Sequence, residues 1–285
     1  MQAFIKQIQS ELQGYYPETE IRSFSYLIIE KLTSLSRTQI FVNKYTTFSD
    51  EQSKLAESFI IKLKKSVPIQ YILGETEFYG LNFNVNEFVL IPRPETEELV
   101  EWVRNENDKK SNLNILDIGT GSGCIAISLK NEFQNADIDA FDISDAALEI
   151  AKSNSKRNNL DVNFSNVDIL NALDFNRKWD IIVSNPPYIS ENEKGEILPN
   201  VLEHEPHLAL FVPDNDPLIF YRHIAQFAMK HLSQNGKLYF EIHREAGLRC
   251  TNLLVEQGFI NIELRKDISG NDRMIRGIYN VSNSI

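Results

Sequence analysis

Along the first 66 positions, apolar residues recur with a helical period. Phe4, Ile5, Ile8 and Leu12 share one face, Ile21, Phe24, Tyr26, Leu27, Ile28 and Leu32 form a second stripe, and Leu55, Phe59, Ile60 and Leu63 form a third. Gly14 and Pro17 separate the first two stripes. The pattern predicts a small helical bundle over 1–66. Between 67 and 92 the period changes to two. "YILGETEFYGLNFNVNEFVL" places Leu81, Phe83 and Val85 in alternation, with glycines at 74 and 80, so this stretch is expected to be a connecting β-hairpin. "IPRPETEELVEWV" then opens a helix. Pro94 suits its first turn, and Glu95, Glu97 and Glu98 favour the positive end of its dipole.

From Leu113 onward strands and helices alternate. Strands are predicted at 113–118, 136–141, 161–167, 179–184, 236–242, 259–264 and 273–279, and helices at 123–133, 145–158, 217–232 and 245–256. Such alternation means a mostly parallel sheet covered on both faces, an α/β Rossmann-like domain over 93–285. The last two strands are nearly consecutive, which points to an antiparallel end of the sheet.

Charge narrows the choice of partners. The net charge is −11, and it falls wholly beyond residue 80, because nine basic and nine acidic residues cancel ahead of that point. A protein that tracks along phosphates carries a basic surface. No basic run here exceeds a pair such as Lys64-Lys65, so binding to long nucleic acid is not expected. Cys124 and Cys250 are far apart and in no CxxC pair, which excludes a disulfide scaffold or zinc ribbon. "MQAFIKQIQSELQGYY" is interrupted by charge and does not read as a signal peptide. No apolar run approaches the roughly 18 residues of a membrane span. A reducing, cytoplasmic setting is expected, with no membrane partner.

Candidate chemistry begins at "ILDIGTGSGCIAISL". Gly119, Gly121 and Gly123 stand between a predicted strand and a predicted helix, with Thr120 and Ser122 between them. Glycines there permit a tight turn and close approach of backbone to a ligand. The Gly-Lys-Ser/Thr of a P-loop is absent, and the spacing is GxGxG rather than the dinucleotide GxGxxG. A nucleoside without phosphate is the remaining class. Asp117 suits that class: a carboxylate repels a pyrophosphate but accepts from an ammonium group, directly or through water. Asp142, 23 positions after Gly119 in "IDAFDIS", is where an acid accepts the two hydroxyls of a ribose; capping the helix near Ser144 is its other reading. S-adenosylmethionine combines a ribose and an ammonium group and has no phosphate. In "SNVDIL", Asp168 is placed to meet an adenine amino group and Ile169 to cover a base face, although an acid at a strand end has no need of a ligand.

The stretch "DIIVSNPPYIS" ends the fourth predicted strand in Asn185, Pro186, Pro187 and Tyr188. The prolines fix φ near −65° and hold the preceding residues extended. A strand-terminating turn accounts for that in isolation. Placed one strand after a cofactor pattern, it suits a planar NH2 target. The Asn185 side-chain oxygen and the Pro186 carbonyl would each accept one N–H, orienting the nitrogen and strengthening as positive charge develops on it. Tyr188 would lay its ring over the planar group. His204, His207, Glu241 and His243 show no ligand-set spacing and are expected to be structural.

The chain resembles the HemK-type protein-(glutamine-N5) methyltransferases that modify peptide chain release factors. The resemblance runs nearly end to end, through the helical N-terminal region, "GETEFYGLNFNV", "IPRPETEELV", "LDIGTGSGCIAI", "NPPYI" and "EHEPHLAL". It implies a class I S-adenosylmethionine-dependent methyltransferase domain in which Gly119 to Gly123 and Asp142 bind the cofactor. Asn185 to Tyr188 would hold the substrate glutamine, which lies in a Gly-Gly-Gln motif of the release factor, with Asn185 also near the cofactor. Residues 1–66 are then expected to help dock that protein substrate. The Asn-Pro-Pro-Tyr motif is shared with adenine-N6 methyltransferases of nucleic acids, which is the alternative reading.

Overall fold

The structure is a computed structural model that describes residues 2–43, 47–172 and 174–280. Its chain forms two compact units, 1–74 with 198–204, and 75–197 with 205–285.

The first unit is helical: α1 (Gln2–Leu12), α2 (Glu18–Thr33), α3 (Arg37–Val42), α4 (Asp50–Leu63) and α5 (Ile69–Leu73). The apolar stripes meet in one core, with Ile8, Leu12, Ile28 and Ile29 almost wholly buried. Two serines start helices by the same device. Ser36 and Ser49 accept from the backbone of Gln39 and Gln52, whose side chains accept in return from the serine N–H. Tyr16 donates to the Leu63 carbonyl at 2.6 Å and Gln52 to that of Leu32 at 2.7 Å, tying the helices together. The short α5 lies within the stretch expected to be hairpin. Its Ile69 and Ile72 enter this helical core, and five residues are too few to display a helical period.

In the second unit, β1 (Glu75–Phe78) and β2 (Leu81–Asn84) form the hairpin, pairing antiparallel from Glu75↔Asn84 to Phe78↔Leu81. Tyr79 and Gly80 both have left-handed φ, 48° and 73°, as a two-residue hairpin loop of this hand requires. Helix α6 (Pro94–Glu106) follows, with Pro94 in its first turn. Then come β3 (Asn114–Ile118), α7 (Cys124–Glu132), β4 (Asp137–Asp142), α8 (Asp145–Asn158), β5 (Asn163–Asn166), β6 (Trp179–Ser184) and β7 (Ile189–Ser190). Helix α9 (Pro199–Leu202) lies in the segment grouped with the first unit. The chain ends with β8 (Phe211–Val212), α10 (Ile219–His231), β9 (Leu232–Glu241), α11 (Gly247–Glu256), β10 (Ile260–Lys266) and β11 (Asp272–Ile278).

Seven strands make the main sheet in the order β10-β11-β9-β6-β3-β4-β5. All run parallel except β11, which is antiparallel to both neighbours, so the expected antiparallel end is present. Alternate residues of the central strands feed two cores. Ile115, Ile181, Val183 and Tyr239 pack with Leu99, Val103, Ile125 and Ile127 from α6 and α7. Leu116, Ile182, Leu238 and Phe240 pack with Ile224, Ala225 and Leu254 from α10 and α11. A strand buried on both faces reads as a continuous apolar run, as "DIIV" does. The order places β6 directly beside β3, in register Ile118↔Ser184. The glycine loop and the Asn-Pro-Pro-Tyr turn therefore leave the sheet from adjacent strands at the same edge. The pairing of β7 with β8, Ile189↔Phe211, was not foreseen, because two-residue strands carry no period.

Candidate functional site

The glycine loop is anchored from below. The Phe141 carbonyl at the end of β4 accepts from the N–H groups of Gly119 and Thr120, at 2.8 and 3.0 Å, and Gly123 N–H closes the turn onto the Thr120 carbonyl at 2.8 Å. Gly119, Gly121 and Gly123 all have left-handed φ, 75°, 54° and 81°. At Gly123 a side chain is excluded for a second reason: a Cβ would stand 2.9 Å from Ile127 and 3.2 Å from Ala151. The buried Asn154 of α8 braces the loop. Its amide donates to the Ser122 carbonyl at 2.9 Å and the Asn84 carbonyl at 3.0 Å, and accepts from Asn84 N–H at 2.6 Å. Hairpin, helix and loop share that one side chain.

Asp142 joins the same loop to the next helix. One carboxylate oxygen accepts from Gly121 N–H at 2.8 Å and the other from Ser144 N–H at 2.9 Å. The cap of α8 itself is Ser144, which accepts from Ala147 N–H. Asp142 is thus a bracket between loop and helix rather than the cap, and each oxygen retains a second lone pair. Burial raises its pKa, against the hydrogen bonds that lower it. Asp117, at the end of β3, is fully buried. Its Oδ2 accepts from Thr120 Oγ1 at 2.7 Å and Ala126 N–H at 3.2 Å, while Oδ1 has no partner. Burial pushes its carboxyl up to about 7.

Over these residues lies a cavity of about 300 Å³ with a mainly apolar wall. Gly119, Thr120, Gly121, Ser122, Asp142, Asp168, Ile169, Asn185, Pro186 and Pro187 all line it. Asp168 caps a 3₁₀ turn at Ile169–Asn171, accepting from Leu170 N–H at 3.0 Å and Asn171 Nδ2 at 2.8 Å. Gly123 does not line the cavity; its place is under the loop, against α7 and α8. Tyr188, expected to lay its ring over the planar target group, is not among the lining residues. Its hydroxyl donates to Glu241 at 3.3 Å, and burial and that carboxylate hold its pKa well up.

Several residues of the cavity were missed. Phe88, Arg93, Thr96 and Leu208 line it from the segments on either side. Buried Glu205 joins those segments, accepting from Arg93 at 2.6 Å and Ile91 N–H at 3.2 Å. The signal for Arg93, Thr96 and Leu208 lay in "IPRPETEELV" and "EHEPHLAL", two polar-rich stretches distant in sequence, and Phe88 lies just ahead of the first. Among the described residues no cluster of His, Cys, Asp or Glu is arranged to hold a metal ion, and no helix is long and apolar enough to cross a membrane. His204 instead meets the Lys65 carbonyl at 2.9 Å.

These features suit S-adenosylmethionine. The cavity is apolar at its walls, a carboxylate stands at the strand end beside the loop, and a buried carboxylate oxygen under the loop lacks a partner. Among the described residues, the one cationic group in the lining is Arg93, which is paired with Glu205.

The comparisons agree. The methyltransferase small domain matches residues 96–208, and the PrmC N-terminal domain matches residues 3–74. The chain is 52% identical over 273 residues to the release factor glutamine methyltransferase of Flavobacterium psychrophilum, covering 95% of this chain and 96% of that one. It is 44% identical over 269 residues to the protein of the same name from Bacteroides thetaiotaomicron, covering 94% and 96%. A methyltransferase from Pyrococcus furiosus, 16% identical, superposes with a TM-score of 0.52 over 82% of this chain and all of its own, which shows a shared fold. With near-complete coverage at this identity, and with an S-adenosylmethionine-dependent methyltransferase fold behind it, the chain belongs to the release factor glutamine methyltransferases.

Proposed function

We propose that this enzyme transfers a methyl group from S-adenosylmethionine to the side-chain amide nitrogen of a glutamine, in the Gly-Gly-Gln motif of a peptide chain release factor. The observation that carries this reading is the position of Asn185 and Pro186 in the same cavity wall as the glycine loop and Asp142. Gly119 to Ser122 and Asp142 would hold the cofactor, with Asp142 on the ribose, Ile169 and Asp168 at the base, and Asp117 toward the ammonium group. When bound, the cofactor supplies an electrophilic methyl group. Asn185 Oδ1 and the Pro186 carbonyl accept the two N–H groups of the target amide, which aims its weakly nucleophilic nitrogen. They gain strength as positive charge grows on that nitrogen, and being held in advance they need no reorganisation. Phe88, Leu208 and the two prolines, which line the cavity, would keep water from the reacting atoms.

A glutamine side chain is too small to identify a protein, so recognition must extend over a wider surface. We assign part of that task to the helical first unit, which leaves Phe41 and Val42 about three-quarters exposed. Two unpaired, buried cysteines fit an enzyme working in the cytoplasm.

The test is incubation with methyl-labelled S-adenosylmethionine and either intact release factor, the same factor with its Gly-Gly-Gln glutamine replaced, or DNA. Label is expected on the intact factor alone. Label on DNA and none on the factor would reverse the reading in favour of adenine methylation.

A further inference from the structure

Asn185 has an amide whose two ends differ: the oxygen accepts, the nitrogen donates. A target NH2 can be held by the oxygen alone, so something must decide which end faces the cavity. In the structure Asn185 Nδ2 donates to Thr96 Oγ1 at 3.2 Å, and Thr96 Oγ1 donates to Glu241 Oε2 at 2.6 Å. Glu241 is 2% exposed, and its other oxygen accepts from Tyr188 at 3.3 Å. Burial raises the Glu241 pKa, against the Thr96 and Tyr188 hydroxyls and the Arg273 charge, which lower it; once ionised, this carboxylate has no proton to give. With Glu241 ionised, the single proton of the Thr96 hydroxyl is committed to it, and the hydroxyl meets Asn185 as an acceptor. A flipped amide would set its oxygen against that acceptor, with no hydrogen between them.

We propose that Thr96 and Glu241 are positioning residues that polarise this chain of hydrogen bonds, so that Asn185 presents its oxygen to the target nitrogen. Glu241 also holds Tyr188 and so grips the four-residue turn at both ends. Ser184, one residue ahead, is fixed through its donation to the Ile118 carbonyl at 2.6 Å. This gives the "PETE" helix start a task in the reaction: the first turn of α6 delivers Thr96 to the end of β6. The proposal rests on the reading that Asn185 holds the target amide.

The test measures kcat and KM on intact release factor, and cofactor affinity by calorimetry, for Thr96→Val, Thr96→Ser, Glu241→Leu, Asn185→Ala and the Thr96→Val/Asn185→Ala pair. Thr96→Val and Glu241→Leu are expected to lower kcat by about 10- to 100-fold, with cofactor affinity within threefold of the unaltered enzyme. Thr96→Ser, which keeps the oxygen, should recover most of that loss. In the Asn185→Ala background, Thr96→Val should cost less than a further twofold, because Thr96 then has nothing to orient. Multiplicative loss in the pair, or cofactor affinity falling in step with kcat, would make Thr96 a packing residue and overturn the proposal. Full turnover of Thr96→Val or Glu241→Leu beside a slow Asn185→Ala would overturn it while sparing the role of Asn185. Full turnover of Asn185→Ala would remove both.

Discussion

Single side chains carry most of the chemistry, and each can be questioned separately. If Asn185 acts on charge developing at the target nitrogen, Asn185→Ala should slow turnover by about 10²–10³ while leaving cofactor affinity nearly unchanged. Turnover at saturating substrate, set beside a calorimetric titration, checks this. Asp142→Ala should weaken cofactor binding by roughly 1.5–3 kcal/mol, the worth of a hydrogen-bonded charge. It should also lower stability, because Gly121 and Ser144 N–H lose their acceptor. Unaltered cofactor affinity in a folded variant would exclude the ribose role. For Asp117 the sign of the pH effect can be worked out. The carboxyl titrates near 3.8 when unfolded and near 7 when folded. Between those values the folded state binds more protons than the unfolded one, so stability falls as pH rises; above 7 the loss is constant, and below 3.8 it vanishes. Asp117→Asn removes that slope. Relative to the unaltered protein it should gain about 2 kcal/mol between pH 5.5 and 8, read from urea unfolding at both. Its cofactor affinity should fall at the same time, since the acceptor for an ammonium group is gone. Parallel stability profiles for the two proteins would show that Asp117 carries no buried charge.

At the scale of elements, the site depends on how strands, loops and helices brace one another. Asn154 satisfies three backbone groups from the hairpin and the glycine loop. Asn154→Ala leaves the Ser122 carbonyl buried without this donor, at a cost of about 1–3 kcal/mol before any relaxation, and takes a partner from the half-buried Asn84 N–H and carbonyl. The expected outcome is a clear drop in unfolding free energy together with faster amide hydrogen exchange at Asn84. Protection at Asn84 equal to that of the unaltered chain would mean the brace is dispensable. Much of this level was legible beforehand. The apolar runs of β3, β4 and β6, strands buried on both faces, differ in pattern from the stripes of α8 and α10, helices buried along one face. What escaped was short: α5, α9, β7 and β8, elements of two to five residues that contain no full period.

For the whole molecule, the division of labour between the two units is the open proposal, and it can be probed without cutting the chain. Phe41→Ser with Val42→Ser changes two exposed apolar side chains of the helical unit, which should leave folding nearly unaffected. If this unit docks the release factor, KM for the intact factor should rise several-fold, with kcat and cofactor affinity preserved. A short Gly-Gly-Gln peptide should be methylated at the unaltered rate. Equal KM values for the intact factor would remove these two residues from the docking surface.

Sequence alone determined the alternation of elements, the glycine loop, the acid at the end of β4 and the proline-fixed turn, because each is a local pattern of period, torsion or spacing. Tertiary structure decided which distant side chains meet. The order of strands set β6 beside β3 and so put the turn and the loop in one cavity wall. It set the Tyr188 hydroxyl on Glu241, and it brought Thr96 and Glu241 together from distant points in the sequence. A buried carboxylate accepts from whichever hydroxyls the packing delivers, and nothing in the spacing of 96, 185, 188 and 241 along the chain announces that they share one network.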